Sequence, residues 1–175
     1  MKKEIQSFIK ALNFVTPEEL YNLLASSGSI NRQTLLMNLA ELEEAGAVIK
    51  ILPKENSLGL EGYIPGPNIE VKNDIKIQRA IIEGGAERRD FSVVNLDKLC
   101  NRLEKSLNRE AEDLKDRISN VYDDPKKLEL DYFGLNIKYY ALRRFFYEYF
   151  DTIPFEGLKS SLNECRRLLD NLEIK

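Results

Sequence analysis

Four consecutive residues, Thr16-Pro17-Glu18-Glu19, constrain the fold more than any other feature of this chain. Thr16 offers a side-chain oxygen to the third residue of a helix, and Glu19 reaches back to the N–H of Thr16. Pro17 suits the first helical position, where its fixed φ is already helical and its missing N–H would have no partner. A helix therefore starts at Pro17, with Leu20, Leu23 and Leu24 on its apolar face, and stops near Ser26-Ser27-Gly28. Upstream, Ile5, Phe8, Ile9 and Leu12 fall at helical spacing and predict a helix over 4–14.

Downstream, Ser29 or Asn31 caps a third helix over about 31–45, on which Leu35, Leu39 and Leu42 mark the buried stripe. Gly46 suits the left-handed residue that closes a helix. Val48 to Leu52 alternates as a strand, Pro53 to Gly59 is turn-rich, and Leu60 to Ile64 returns as a second strand. Pro65-Gly66-Pro67 is the strongest candidate domain boundary, which predicts one domain over 1–66 and a second over 67–175.

The second region reads as helical: a short helix over 74–84, a long one over about 92–121, another over 126–151 with Gly134 as a weak point, and a last one over about 156–172. Leu96, Leu99, Cys100, Leu103, Leu107, Leu114, Ile118 and Val121 share a face of the long helix at mixed three- and four-residue steps, which suits a dimerising bundle or coiled coil. Tyr132 to Phe150 concentrates the aromatics. Phe146, Tyr149 and Phe150 share a face, and Tyr139 lies a heptad before Phe146. Such stripes serve core or dimer packing, or line an effector pocket. Arg143-Arg144 and Arg166-Arg167 are solvated doublets or anion contacts to such a pocket. The fold class expected is mainly α, a three-helix module with a two-stranded antiparallel element followed by a helical C-terminal region.

Several kinds of chemistry lack their residues. The chain of 175 residues has no histidine, which removes Ser-His-Asp and Cys-His catalysis, His-bearing zinc sites and the simplest pH switch. There is no phosphate-binding glycine loop, and no spacing singles out a catalytic carboxylate pair. The chain is expected not to be an enzyme and to need no metal or cofactor. Cys100 and Cys165 belong to no CxxC pair and read as buried or idle thiols. No window approaches the run of about 20 apolar residues that a membrane span needs, and residues 1–8 do not read as a signal peptide, so a cytoplasmic location is expected.

The run Thr16-Pro17-Glu18-Glu19-Leu20-Tyr21, the run Ile30-Asn31-Arg32-Gln33-Thr34-Leu35, and Leu39-Ala40-Glu41-Leu42-Glu43-Glu44-Ala45-Gly46-Ala47-Val48 together resemble winged helix-turn-helix transcriptional regulators. The pairing of the first two runs is similar to the N-terminal half of ferric-uptake-type regulators. The resemblance covers about a third of the chain. It implies a winged helix over 1–66, with the helix at 31–45 reading DNA and the hairpin acting as the wing. Without histidine, and with a helical second half, the metal sites of those regulators are not carried over.

The resemblance implies double-stranded DNA as a partner. Ser29, Asn31, Arg32, Gln33, Thr34 and Asn38 would contact phosphates or base edges, and Lys50 and Lys54 would place charge on the wing. A homodimer through the C-terminal helices would present two recognition helices to a twofold operator. Two observations pull the other way. The net charge is −3, and residues 1–66 hold six Lys/Arg against eight Asp/Glu, whereas DNA-binding domains show a basic face. Leu36 and Met37 stand where the family tends to carry Tyr and Arg. They support the alternative, a winged-helix protein-interaction or scaffold subunit that does not bind DNA. A continuous positive face over the third helix would favour DNA; a neutral, apolar face would favour protein.

Overall fold

The computed structural model describes every residue except 27, 29, 72–74, 121–122 and 174–175. The chain is mainly helical, with seven α-helices and one two-stranded antiparallel sheet among the described residues. It divides into two compact units, Met1–Leu99 and Cys100–Lys175.

In the first unit, α1 (Lys2–Leu12) buries Ile5, Phe8, Ile9 and Leu12. Asn13 ends it at φ 67° and ψ −58°, a γ-turn in which the Phe14 N–H donates to the Leu12 carbonyl (2.9 Å). The α2 helix (Pro17–Ala25) starts on the expected capping box: the Glu19 N–H donates to Thr16 Oγ1 (3.2 Å) and the Thr16 N–H donates to Glu19 Oε2 (2.9 Å). The α3 helix (Arg32–Glu44) buries Leu35, Leu39 and Leu42, and Gly46, at φ 74°, turns the chain out of it while the Ala47 N–H donates to the Leu42 carbonyl (2.9 Å).

Strands β1 (Val48–Ile51) and β2 (Gly62–Pro65) pair antiparallel, with Val48 opposite Pro65 and Ile51 opposite Gly62. Val15 adds a single bridge, exchanging both backbone hydrogen bonds with Tyr63 (3.1 and 2.9 Å). The ladder is shorter than the alternation of residues predicts. The Asn56 side-chain amide takes the carbonyls of Leu52 (2.9 Å) and Leu60 (2.7 Å), which closes the loop mouth before the strands extend to those residues. Gly62 has a packing reason: a Cβ there would lie 2.3 Å from the Phe14 ring.

This unit continues past Pro67. The α4 helix (Ile75–Glu83) contributes Ile77 to the same core as Ile5, Leu20, Leu39 and Val48. The Glu70 N–H donates to Gln6 Oε1 (2.7 Å), and the Arg89 N–H donates to the Leu12 carbonyl (3.0 Å). The Arg89 guanidinium binds both oxygens of Glu19 and the Phe14 carbonyl, so the helix-starting carboxylate of α2 also holds the segment after α4. Proline and glycine at 65–67 turn the chain without releasing it from the core.

The boundary between the units falls inside α5 (Leu96–Asn120). In the second unit α5, α6 (Pro125–Phe150) and α7 (Leu158–Glu173) share one core. The face expected to dimerise on α5 is buried there: Leu107, Leu114 and Ile118 are covered, together with Ala111. Val121, expected on that face, lies outside the described residues. The α6 helix runs unbroken through Gly134, capped by Asp124 and closed by Asp151 in the left-handed conformation. Its aromatics divide. Tyr132, Tyr139, Phe145 and Phe146 are buried, while Phe133, Tyr140, Tyr147 and Tyr149 are exposed. Cys165 is buried and its thiol is pushed up to about 11, chiefly by that burial, so it is an unreactive packing residue. No helix among the described residues is long and apolar enough to cross a membrane.

Candidate interaction face of the third helix

Burying Leu35, Leu39 and Leu42 leaves the other side of α3 to solvent. That side carries Arg32, Gln33, Leu36, Met37, Ala40, Glu41, Glu43 and Glu44, all exposed. Leu36 is 52% and Met37 58% exposed, large values for apolar side chains in the middle of a helix.

The cation at the start of α3 is already bound within the molecule. Both guanidinium nitrogens Nη1 and Nη2 of Arg32 donate to the Glu18 carboxylate on α2, the second at 3.0 Å. The same guanidinium lies 4.2 Å from the centre of the Tyr21 ring. These hydrogen bonds hold the Glu18 carboxyl below its usual range and raise Arg32 further, so the pair stays ionised and mutually neutralised. A bidentate pair fixes the planar guanidinium more firmly than a single contact would.

The other polar residues of the candidate DNA surface have structural duties. Asn31 caps α3, its Oδ1 accepting from the Thr34 N–H at 2.7 Å. Asn38 folds back on its own helix: its amide donates to the Thr34 carbonyl (2.9 Å) and contacts Met1 Sδ (3.4 Å). Gln33 is exposed. Ser29 lies outside the described residues. Lys50, on β1, pairs with Glu61 at 2.9 Å, and the hydrogen bond it donates to that carboxylate raises its pKa and keeps it protonated. Lys54 stands exposed in the short turn Pro53–Glu55, with no ion-pair partner among the described residues. Lys2 forms an ion pair with Glu41.

The structure thus places Asn31, Arg32, Gln33, Thr34, Leu36, Met37 and Asn38 along one helix, and Lys50 and Lys54 on the hairpin that follows it. It also brings in residues that sequence reasoning did not include. Glu18 and Tyr21, on α2, decide the electrostatics of Arg32, and Glu41, Glu43 and Glu44 give the far end of the face a negative rim. No local pattern in the sequence signals the first: Glu18 is the second residue of α2, fourteen residues before Arg32, and only the packing of α2 on α3 brings them together.

A second concavity, of about 780 Å³, lies between α2 and α4 and is lined by Leu23, Ala80, Arg79, Arg88 and the Arg89–Glu19 pair among others. Among the described residues no cluster of three acidic or thiol side chains is arranged to hold a metal ion. The face of α3 thus presents an apolar pair in the middle and an exposed Gln33 amide, with Asn31 and Asn38 bonded to their own helix and Arg32 matched by a carboxylate. No family model, curated protein or solved structure matches this chain.

Proposed function

We propose that the chain is a non-catalytic interaction subunit whose N-terminal module is a winged helix used to bind protein. The order of α1, α2, α3 and the β1–β2 hairpin is consistent with that module. One observation carries the reading: Leu36 and Met37 are exposed on α3 while Arg32 is held by Glu18 and Tyr21. A polyanion would have to compete with Glu18 for Arg32, a small cost for a pair open to solvent; a protein-binding helix needs apolar side chains with nothing yet covering them, and Leu36 and Met37 are such side chains. Glu43 and Glu44, beside a Glu41 that is paired with Lys2, disfavour a polyanion at the far end of the same face and suit a partner with basic residues around an apolar anchor.

The test is isolation of the chain from its native cells with its binding partner, followed by Leu36→Asp and Met37→Asp. The expected result is a partner at fixed stoichiometry that is lost in both variants, while the melting temperature is unchanged. A complex indifferent to both substitutions would contradict the reading.

DNA recognition is the second reading, favoured by the exposed Gln33 and Lys54. It predicts duplex binding that weakens steeply with salt and with Arg32→Ala, and strengthens with Glu18→Gln as the guanidinium is released.

A further inference from the structure

The α6 helix carries apolar residues on two faces, and one face fills the core of its own unit. The other carries Leu130, Phe133, Ile137, Tyr140, Arg144 and Tyr147, at alternating steps of three and four residues. All six are exposed; Leu130 is 70%, Ile137 67% and Tyr147 57% exposed. This is the a/d spacing of a coiled-coil seam, sustained over about 26 Å of helix. Intramolecular pairs border it on both sides. Lys138 meets Glu110 of α5 (3.3 Å); Arg143 meets Glu156 (2.8 Å), and Arg166 of α7 meets Glu129 (3.4 Å). The seam is thus the ridge of α6 that its neighbours in the unit leave open.

We propose that this seam binds the same seam of a second copy of the chain, with the two α6 helices antiparallel. Three features select that occupant and that orientation. An antiparallel pair centred near Lys138 sets Leu130 against Tyr147 of the second copy, Ile137 against Tyr140, and Phe133 against Arg144. Each a position then meets a d position. Arg144, which donates to Glu148 on its own helix (2.9 Å) across a pair open to solvent, meets an aromatic face of the second copy, the favourable cation–π arrangement. A parallel pair would instead set Arg144 against Arg144, like charges within the seam.

The flanking positions agree. In the antiparallel register Lys127 faces Glu148 of the second copy, opposite charges; both are exposed, and their own-chain pairs with Asp123 (3.6 Å) and Arg144 (2.9 Å) lie open to solvent. Gly134 faces Ala141, two small residues that let the helices approach. Nothing within 4 Å occupies the space where a Cβ of Gly134 would stand.

The area is sufficient for a reversible dimer. Three half-exposed aromatic side chains, two aliphatic ones and the Arg144 stem offer on the order of 500–600 Å² per copy, at the lower edge of what specific interfaces bury. The inference is independent of what α3 binds.

Sedimentation of the full chain across the micromolar range tests the dimer. A concentration-dependent dimer is expected, weakened about 100-fold or more by Ile137→Lys and by Tyr140→Lys, each with an unchanged helical circular dichroism spectrum. A monomer throughout, or a dimer that survives both folded variants, overturns the proposal. Orientation is read by cysteine pairing in a Cys100→Ser background. Leu130→Cys and Tyr147→Cys proteins should form a disulfide only when mixed. Either variant alone should stay unlinked, because identical positions lie roughly 26 Å apart, beyond the ~7 Å a disulfide spans. Self-linking of Leu130→Cys alone overturns the antiparallel arrangement.

Discussion

The open faces of α3 and α6 both expose apolar side chains, yet they differ in length, charge and repeat. On α3 the apolar surface is two adjacent residues, Leu36 and Met37, flanked by a neutralised Arg32 at one end and Glu41, Glu43 and Glu44 at the other. On α6 it is a seam of regular spacing, with a single cation and small residues beside it. A short patch with a one-signed rim suits a different molecule, whose charge complements it. A regular repeat whose positions match when reversed suits a copy of itself. The contrast follows from what lies beneath. The buried side of α3 is a simple leucine stripe, so its other face is free to be polar; α6 is apolar on both sides, so burial in its own unit leaves a face uncovered.

The exposed and buried sides of each helix should respond very differently to truncation. Phe146 and Phe133 lie on the same helix, the first fully buried and the second 46% exposed. Phe146→Ala is expected to destabilise the protein by about 3–5 kcal/mol in chemical denaturation, through the lost contacts and the cavity. Phe133→Ala, measured at a concentration where the chain is monomeric, is expected to change stability by no more than about 0.5 kcal/mol. The same contrast on α3 is expected between Leu39→Ala, about 2–5 kcal/mol, and Leu36→Ala, within about 0.5 kcal/mol. If Leu36→Ala proved as costly as Leu39→Ala, the exposed face would not be a free surface.

A smaller effect sharpens the account of how α2 is set. Thr16→Ala removes the oxygen that accepts from the Glu19 N–H and should lower stability by about 1 kcal/mol, read from the denaturation midpoint. The pH dependence involves the same carboxylate. Burial alone would raise the Glu19 carboxyl, but its hydrogen bonds with Arg89 and Thr16 outweigh that and hold it below its ordinary value of 4.5. A folded value below the unfolded one means stability that is complete above the ordinary value and is lost as pH falls through the folded value. Glu19→Gln is therefore expected to flatten the acid side of the stability profile below about pH 4.5 and leave its neutral-to-alkaline shape unchanged.

Smallest of all is the effect expected at Glu18. Its pair with Arg32 is open to solvent, so Glu18→Gln should leave the melting temperature within error of the parent. What it should change is the charge presented by α3.

Much of the fold is legible in the sequence because it rests on local rules. The capping box at Thr16–Glu19, the Leu35, Leu39 and Leu42 stripe and the turn at Gly46 each act within a few residues, and each stands where spacing and residue type predict. What partners a stripe is not local. The α5 face has the spacing of a dimer seam but is covered by its own unit, whereas the α6 seam was obscured because apolar residues on both faces blur the periodicity. The same limit applies to the candidate site. Asn31, Gln33, Leu36 and Met37 can be put on one helix from spacing alone. The state of Arg32 cannot, because it is decided by Glu18, fourteen residues earlier and brought close only by the packing of α2 on α3. The extension of the first unit beyond Pro67 depends likewise on long-range contacts, from Ile77 into the core and from Arg89 to Glu19.

A face of α3 that meets protein and not a polyanion, as proposed, should leave the chain indifferent to duplex DNA. Titration of the full chain against labelled random-sequence and genomic duplex DNA at low salt, followed by fluorescence anisotropy, tests it most directly. No saturable binding by the parent chain is expected. Saturable binding that falls steeply with added salt and disappears with Arg32→Ala would contradict it.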